Sequence, residues 1–218
     1  MSTNLARGAL GPGRGQPRPL HRGDIRTHRS RFAVGWAAFI GTFRVMPDQS
    51  SSLVGRGAEE EYLRRLLTQD SARAAVVSGE PGVGKTVLIE RLCALAASEG
   101  WRVVRVQGSQ AEESFALGGL NQIAIGLRDF QAGLDDHDRG VLAAVLVGDS
   151  GIEVSVLPLA AAMLNLLAVA ARTEPVLLVV DDVHWLDSIS SEVLGAVGRR
   201  LADPRVLIVA GRRVPYES

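Results

Sequence analysis

Lysine is almost absent from this chain of 218 residues: of its 24 basic side chains 23 are arginine, and Lys85 is the single ammonium. Cysteine is equally scarce. With Cys93 alone no internal disulfide can form, which excludes a disulfide-stapled domain and fits a reducing, cytoplasmic setting. Cys93 falls inside an apolar helical stretch and reads as core rather than as a reactive thiol. Long hydrophobic runs are missing too. Phe32–Phe43 offers 12 residues and Leu157–Ala171 offers 15, both short of the roughly 20 that a membrane span needs, so no membrane partner is expected. No internal repeat is visible.

The formal charge is zero, but unevenly spread. Residues 1–45 carry eight arginines and one acidic group, Asp24, about +7, whereas 46–218 carry 16 basic and 23 acidic groups, about −7. The second region therefore lacks the basic surface that nucleic-acid binding requires, and no direct nucleic-acid contact is expected of it. Its composition is that of a folded domain, and its length suits one. The first region is rich in Gly, Pro and Arg without hydrophobic periodicity, which describes a disordered extension; its arginines could also hold nucleic acid non-specifically. Met46 is an alternative start, because the composition changes abruptly there. The arginine-rich flank and apolar run also resemble a signal peptide, yet no small-residue cleavage site follows.

The lone lysine lies in Gly79-Glu80-Pro81-Gly82-Val83-Gly84-Lys85-Thr86, followed by Val87. This is the G-x-x-x-x-G-K-[ST] spacing of a phosphate-binding loop. Glycines 79, 82 and 84 permit backbone angles closed to other residues and let the chain approach an anion. Lys85 supplies a compact charge for the β- and γ-phosphates, where arginine's planar fork is too wide. The Thr86 hydroxyl would ligate Mg²⁺. Ala74–Ser78 before the loop reads as a buried strand, and the apolar positions from Val87 to Ala96 read as a helix whose N-terminus points at the anion. A glycine-rich turn that binds nothing is the bland alternative.

A partner for the metal appears further on. Val176–Val180 is a continuous apolar strand that ends in Asp181-Asp182, and strand ends are where ligands bind in open α/β sheets. Asp181 would hold Mg²⁺ together with Thr86, and Asp182 would orient or polarise the attacking water. The alternative is a pair of aspartates that caps the next helix. His184 and Trp185 read as groups that pack the following loop.

Leu53-Val54-Gly55-Arg56-Gly57-Ala58-Glu59, the phosphate loop, Phe115–Gln122 and Asp181-Asp182-Val183-His184-Trp185-Leu186-Asp187 together resemble the AAA-type ATPase module of signal-transduction ATPases with numerous domains. The likeness is to large LuxR-type transcriptional regulators of actinobacteria, over about Ser52 to Arg213. It implies ATP as the nucleotide, with Gly55 and Arg56 near adenine and ribose and Arg212 as a polar sensor near the γ-phosphate. Arg212 could equally be an ordinary exposed arginine, and Arg213 is adjacent. No Asn-Lys-x-Asp guanine motif occurs.

Alternating strands and helices indicate an α/β fold, a P-loop NTPase three-layer sandwich with a mainly parallel sheet. Four strands are expected, near 74–78, 102–106, 176–181 and 205–210, with a mainly helical insertion over about 113–172 and a helix over about 188–201. The family order puts the 205–210 strand between the first and the third. The resemblance also implies a fifth strand, a helical lid, and sensor and DNA-binding modules beyond Ser218. An N-terminal fragment would leave the 74–78 strand with an unpaired edge and hydrolyse ATP slowly. Three functions stand: a nucleotide-dependent switch in a regulator, a free-standing ATPase, or an interaction remnant with a degenerate pocket.

Overall fold

The computed structural model describes residues 41–44, 57–68, 73–110, 116–147 and 155–213. Gly55, Arg56, Met46 and Phe115 lie outside these residues, as do residues 1–40 with the arginine-rich segment. The elements run β1 (Gly41–Arg44), α1 (Gly57–Thr68), β2 (Ala74–Gly79), α2 (Lys85–Ser98), β3 (Arg102–Gln107), α3 (Gly118–Gly126), α4 (Asp136–Val147), α5 (Val156–Thr173), β4 (Val176–Asp181), α6 (Ser188–Arg200) and β5 (Val206–Arg213). All strand pairs are parallel, in the order β1-β2-β5-β4-β3. The expected α/β sandwich is present, and β5 does lie between the loop-bearing strand β2 and the aspartate-bearing strand β4.

To the four expected strands the structure adds a fifth. Gly41–Arg44 pairs with Ala75–Ser78 along the outer edge of β2, so that edge is paired and not bare, contrary to expectation. The segment sits within the stretch expected to be disordered. Its placement has a simple cause: β2 presents unpaired N–H and C=O groups, and any extended segment within reach can satisfy them.

Alternation along the buried strands sorts the molecule into two cores. Val176, Leu178, Val180, Val206, Ile208 and Ala210 face α3 to α6, where they join Leu120, Ile123, Met163, Leu166, Leu167 and Val193. Leu177, Val179, Leu207 and Val209 face the other way, onto Leu66 and Leu67 of α1 and Leu88, Ile89, Leu92 and Ala96 of α2. Side chains of a strand alternate faces with a period of two, so Asp181 continues the α2-facing row of β4. By the same count Gly211 and Arg213 continue the α2-facing row of β5, and Arg212 belongs to the opposite one. This parity decides which polar residues meet at the strand tips.

Helix α5 is apolar enough, and at 18 residues long enough, to cross a membrane by composition alone. Here Leu159, Met163, Leu166, Leu167 and Ala170 are buried against the sheet and α6, which makes it the central core helix. Pro158 stands in its first turn, where a missing N–H breaks no helical bond. Helix α6 opens on Asp187, whose carboxylate accepts a hydrogen bond from Ser190 N at 2.9 Å.

Candidate functional site: the phosphate loop and its acidic partner

The loop between β2 and α2 has the backbone its glycines allow. Gly82 and Gly84 have φ of 79° and 88°, and α2 begins on Gly84, which has no side chain to cap the first helical N–H groups. A β-carbon at Gly82 would meet nothing within 4 Å, so its conformation, not crowding, is what calls for glycine there. Glu80 and Val83 are half-buried, whereas Pro81, Thr86 and Val87 are exposed. The loop joins the C-terminal end of β2 to the N-terminus of α2.

Lys85 is buried, at 7% exposure, and its ammonium donates to the carbonyls of Gly79 at 2.9 Å and Glu80 at 2.8 Å. Burial lowers its pKa, the Arg213 charge lowers it further, and Asp182 and Asp181 oppose both. The ammonium is thus folded back on its own loop, in surroundings that disfavour its charge.

Asp181 stands across from this loop. Its Oδ2 accepts from the Thr86 hydroxyl at 3.4 Å, and its Oδ1 accepts from the Asp182 N–H at 2.9 Å. Two residues 95 apart in sequence are thus brought to one point by the β2-β5-β4 order. Gly211 makes room for the carboxylate. A β-carbon there would come within 2.5 Å of Asp181 Oδ1 and 3.1 Å of Ile89 Cδ1. This glycine is not identified by the sequence reading, because only the strand order reveals what it faces.

Asp182 turns the chain out of β4 with a left-handed φ of 48°, uncommon for a residue other than glycine. Its carboxylate does not cap the next helix; Asp187 does that. Instead it accepts from Arg213 at two points, Nε to Oδ1 at 3.0 Å and Nη2 to Oδ2 at 3.2 Å. The guanidinium beside the acidic pair is therefore that of Arg213. Arg212, the residue singled out from the sequence, pairs in register with Ser78 on the other face of β5. His184 Nδ1 is 3.9 Å from Asp182 Oδ1, and its ring lies against Trp185. Burial lowers the His184 pKa; Asp182 raises it, and Arg213 and Lys85 lower it further.

Asp187 does more than begin α6. Buried at 4% exposure, it also accepts from Leu117 N at 3.1 Å and Gly119 N at 3.2 Å, and Ser190 Oγ accepts from Leu120 N at 3.1 Å. The turn that carries Asp182 is so tied to the start of α3, where Leu117 has a φ of 68°. Gln122 adds a second tie, accepting from Gln107 N and donating to Gln107 O at the outer edge of β3. Gly108 completes the fit: a β-carbon there would reach within 2.5 Å of Asp182 O.

The donor set fits a nucleoside triphosphate with a hard divalent cation. Lys85 and the loop amides suit phosphate oxygens, and the Thr86 hydroxyl and Asp181 carboxylate are oxygen ligands of the kind magnesium takes. Among the described residues no three His, Cys, Asp or Glu side chains gather in a metal cluster. A cation here would hence take two protein oxygens and complete its shell from phosphates and water, as magnesium does. A family model described as AAA ATPase domain matches residues 52–209, well over half of the chain. A search of curated proteins found no significant match.

Proposed function

The chain belongs to the AAA ATPase domain family, and on that footing we propose that it is the ATP- and Mg²⁺-binding switch of a signal-transduction regulator of the LuxR-like kind. Family membership supports nucleotide binding; the regulatory role rests on the likeness of the Asp181–Asp187 block and the phosphate loop. The observation that carries the site is the 3.4 Å approach of the Thr86 hydroxyl to the Asp181 carboxylate, beside buried Lys85.

In this reading Lys85 leaves the Gly79 and Glu80 carbonyls to hold the β- and γ-phosphates. Loop amides from Gly82 to Val87 and the positive end of α2 hold the same anion. Thr86 and Asp181 would hold Mg²⁺, which would supply positive charge to neutralise the phosphates. Asp182 orients the attacking water and accepts its proton. Asp187 keeps the Asp182 turn in place against α3, so nucleotide state at the strand tips is transmitted to the helical layer. A cytoplasmic location is part of this reading. Slow hydrolysis is expected while both Asp182 oxygens accept from Arg213.

Calorimetric titration with ATP, with and without Mg²⁺, tests this. Wild type is expected to bind, more tightly with Mg²⁺, and Lys85→Ala to lose at least about tenfold in affinity, the scale of one charge-assisted contact. Equal binding by Lys85→Ala would refute the site.

A further inference from the structure

The two outer edges of the sheet are unlike. β1 covers the edge of β2, whereas β3 pairs with β4 on one side and with no strand on the other among the described residues. Arg102 N donates to Pro175 O and Gly108 N donates to Asp181 O, so the even-numbered residues of β3 direct their peptide groups at β4. By the period of two, Val103, Arg105 and Gln107 direct theirs outward. Gln107 is already served, because the Gln122 amide accepts from its N–H and donates to its carbonyl. Below the strand, Trp101 N is taken by Ala96 O. Among the described residues nothing meets the outward groups of Val103 and Arg105, which flank Val104.

The surroundings of this window are apolar. Gly126 of α3 lies against Val104, and a β-carbon there would come within 2.8 Å of Val104 Cγ1. Its neighbour Ile125 is a large aliphatic side chain left 53% exposed. Trp101 and Val103 are only partly buried. Charged side chains ordinarily guard an open edge. Here both arginines of β3 are drawn to their own protomer: Arg102 donates to Glu174 at 2.7 Å and lies over the Phe130 ring, and Arg105 lies beside Cys93 of α2.

We infer that the β3 edge pairs with the β3 edge of a second copy of this chain, antiparallel about a two-fold axis at Val104. Val103 of each copy then faces Arg105 of the other. Each such pair exchanges two N–H···O bonds, so every open group in both windows is used. The adjacent registers do worse. Arg105 opposite Arg105 sets like charges face to face and aligns Val103 with Gln107, which Gln122 has closed. Val103 opposite Val103 aligns Arg105 with Trp101, whose N–H is taken. The contact is isologous and joins two five-stranded sheets into one. It brings the two α3 helices together at the axis, where Ile125 gains the cover that a single chain does not give it. The copies run in opposite directions, so their phosphate loops lie on opposite rims and pairing needs no nucleotide.

Proline is the probe, since an edge strand tolerates it only where the missing N–H faces outward. Val103→Pro and Arg105→Pro each delete one outward donor per copy, and each is expected to raise the dimer dissociation constant at least about tenfold. Ile125→Glu sets two carboxylates near the axis and should weaken pairing about fivefold or more. Val104→Pro removes a donor to β4 and should instead destabilise the fold. Sedimentation equilibrium of the full chain from about 1 to 100 µM measures association, a range suited to a small interface, with circular dichroism as the check of folding. Amide hydrogen exchange reads the wild type directly: protection of Val103 and Arg105 should rise with concentration, while Val104 and Val106 stay protected throughout. If a proline variant does not fold, that exchange and Ile125→Glu decide. A wild type that stays monomeric at about 100 µM overturns the proposal and leaves the edge to an extended segment of another protein. A dimer that withstands both proline changes, or Val103 and Arg105 amides that exchange freely at every concentration, overturns it as well. None of these residues belongs to the nucleotide site, so ATP titration tests that site separately.

Discussion

The two faces of the sheet are built to different ends. The α3–α6 face is a deep aliphatic core in which Ile123, Met163, Leu166, Leu167 and Val193 are fully buried. The α1–α2 face has a thinner core, and its rows run out at the strand tips into Asp181, Gly211 and Arg213, beside Lys85. The deeper apolar core is on one face, and the candidate site is on the rim of the other. A buried ammonium and an acidic pair are costly to keep in a folded protein, and the apolar face offsets that cost. Asp187 joins the two, since it accepts from α3 while it holds the turn of Asp182.

Substitutions can separate the faces. The largest effect is expected from Leu166→Ala, which empties part of the α5 core; about 2–5 kcal/mol of stability should be lost. Urea unfolding measures it, and the ATP affinity of the folded fraction should stay within about twofold, a distinction that needs the two faces to be independent. A parallel loss of binding would show that they are coupled. Gly211→Ala comes next. Its methyl collides with Asp181 Oδ1 and Ile89, so overpacking of about 1–3 kcal/mol should fall on the carboxylate proposed to hold the metal. The Mg²⁺-dependent gain in ATP affinity should shrink, and calorimetry with and without Mg²⁺ would detect it; an unchanged gain would mean that Asp181 is not held where Gly211 permits.

The smallest effect concerns pH. The folded His184 pKa lies below its ordinary 6.5, with burial the leading cause. The unfolded chain then binds the proton more readily, so the contribution of neutral His184 is complete above about 6.5 and is lost as pH falls through the folded value. Urea midpoints of wild type and His184→Gln between pH 7.5 and 5 should diverge only on the acid side. Parallel curves would remove His184 from the site's electrostatics.

The phosphate loop was legible because its chemistry is local: the glycines, Lys85 and Thr86 lie in one stretch, and strand, loop and helix follow in order. Asp181 was legible as an acidic end to a buried strand. Arg213 was not, although it is next to Arg212. Period-two alternation puts Arg212 and Arg213 on opposite faces, but which face meets α2 depends on how β5 is set between β2 and β4. The need for Gly211 and Gly108 was hidden for a related reason, since each is defined by a neighbour distant in sequence. The fifth strand escaped because Gly41–Arg44 lies in a segment whose arginine, glycine and proline content reads as unstructured, and strand pairing uses backbone groups that every residue carries.

Sequence alone determined the alternation of buried strands and amphipathic helices, the phosphate loop and the acidic strand end, because those signals act between near neighbours along the chain. Only the tertiary structure decided that Thr86 meets Asp181, that Arg213 rather than Arg212 closes on Asp182, and that β2 has a strand on its outer side. Each of these depends on strand order and register, and those are settled by packing the whole sheet between its two helical layers.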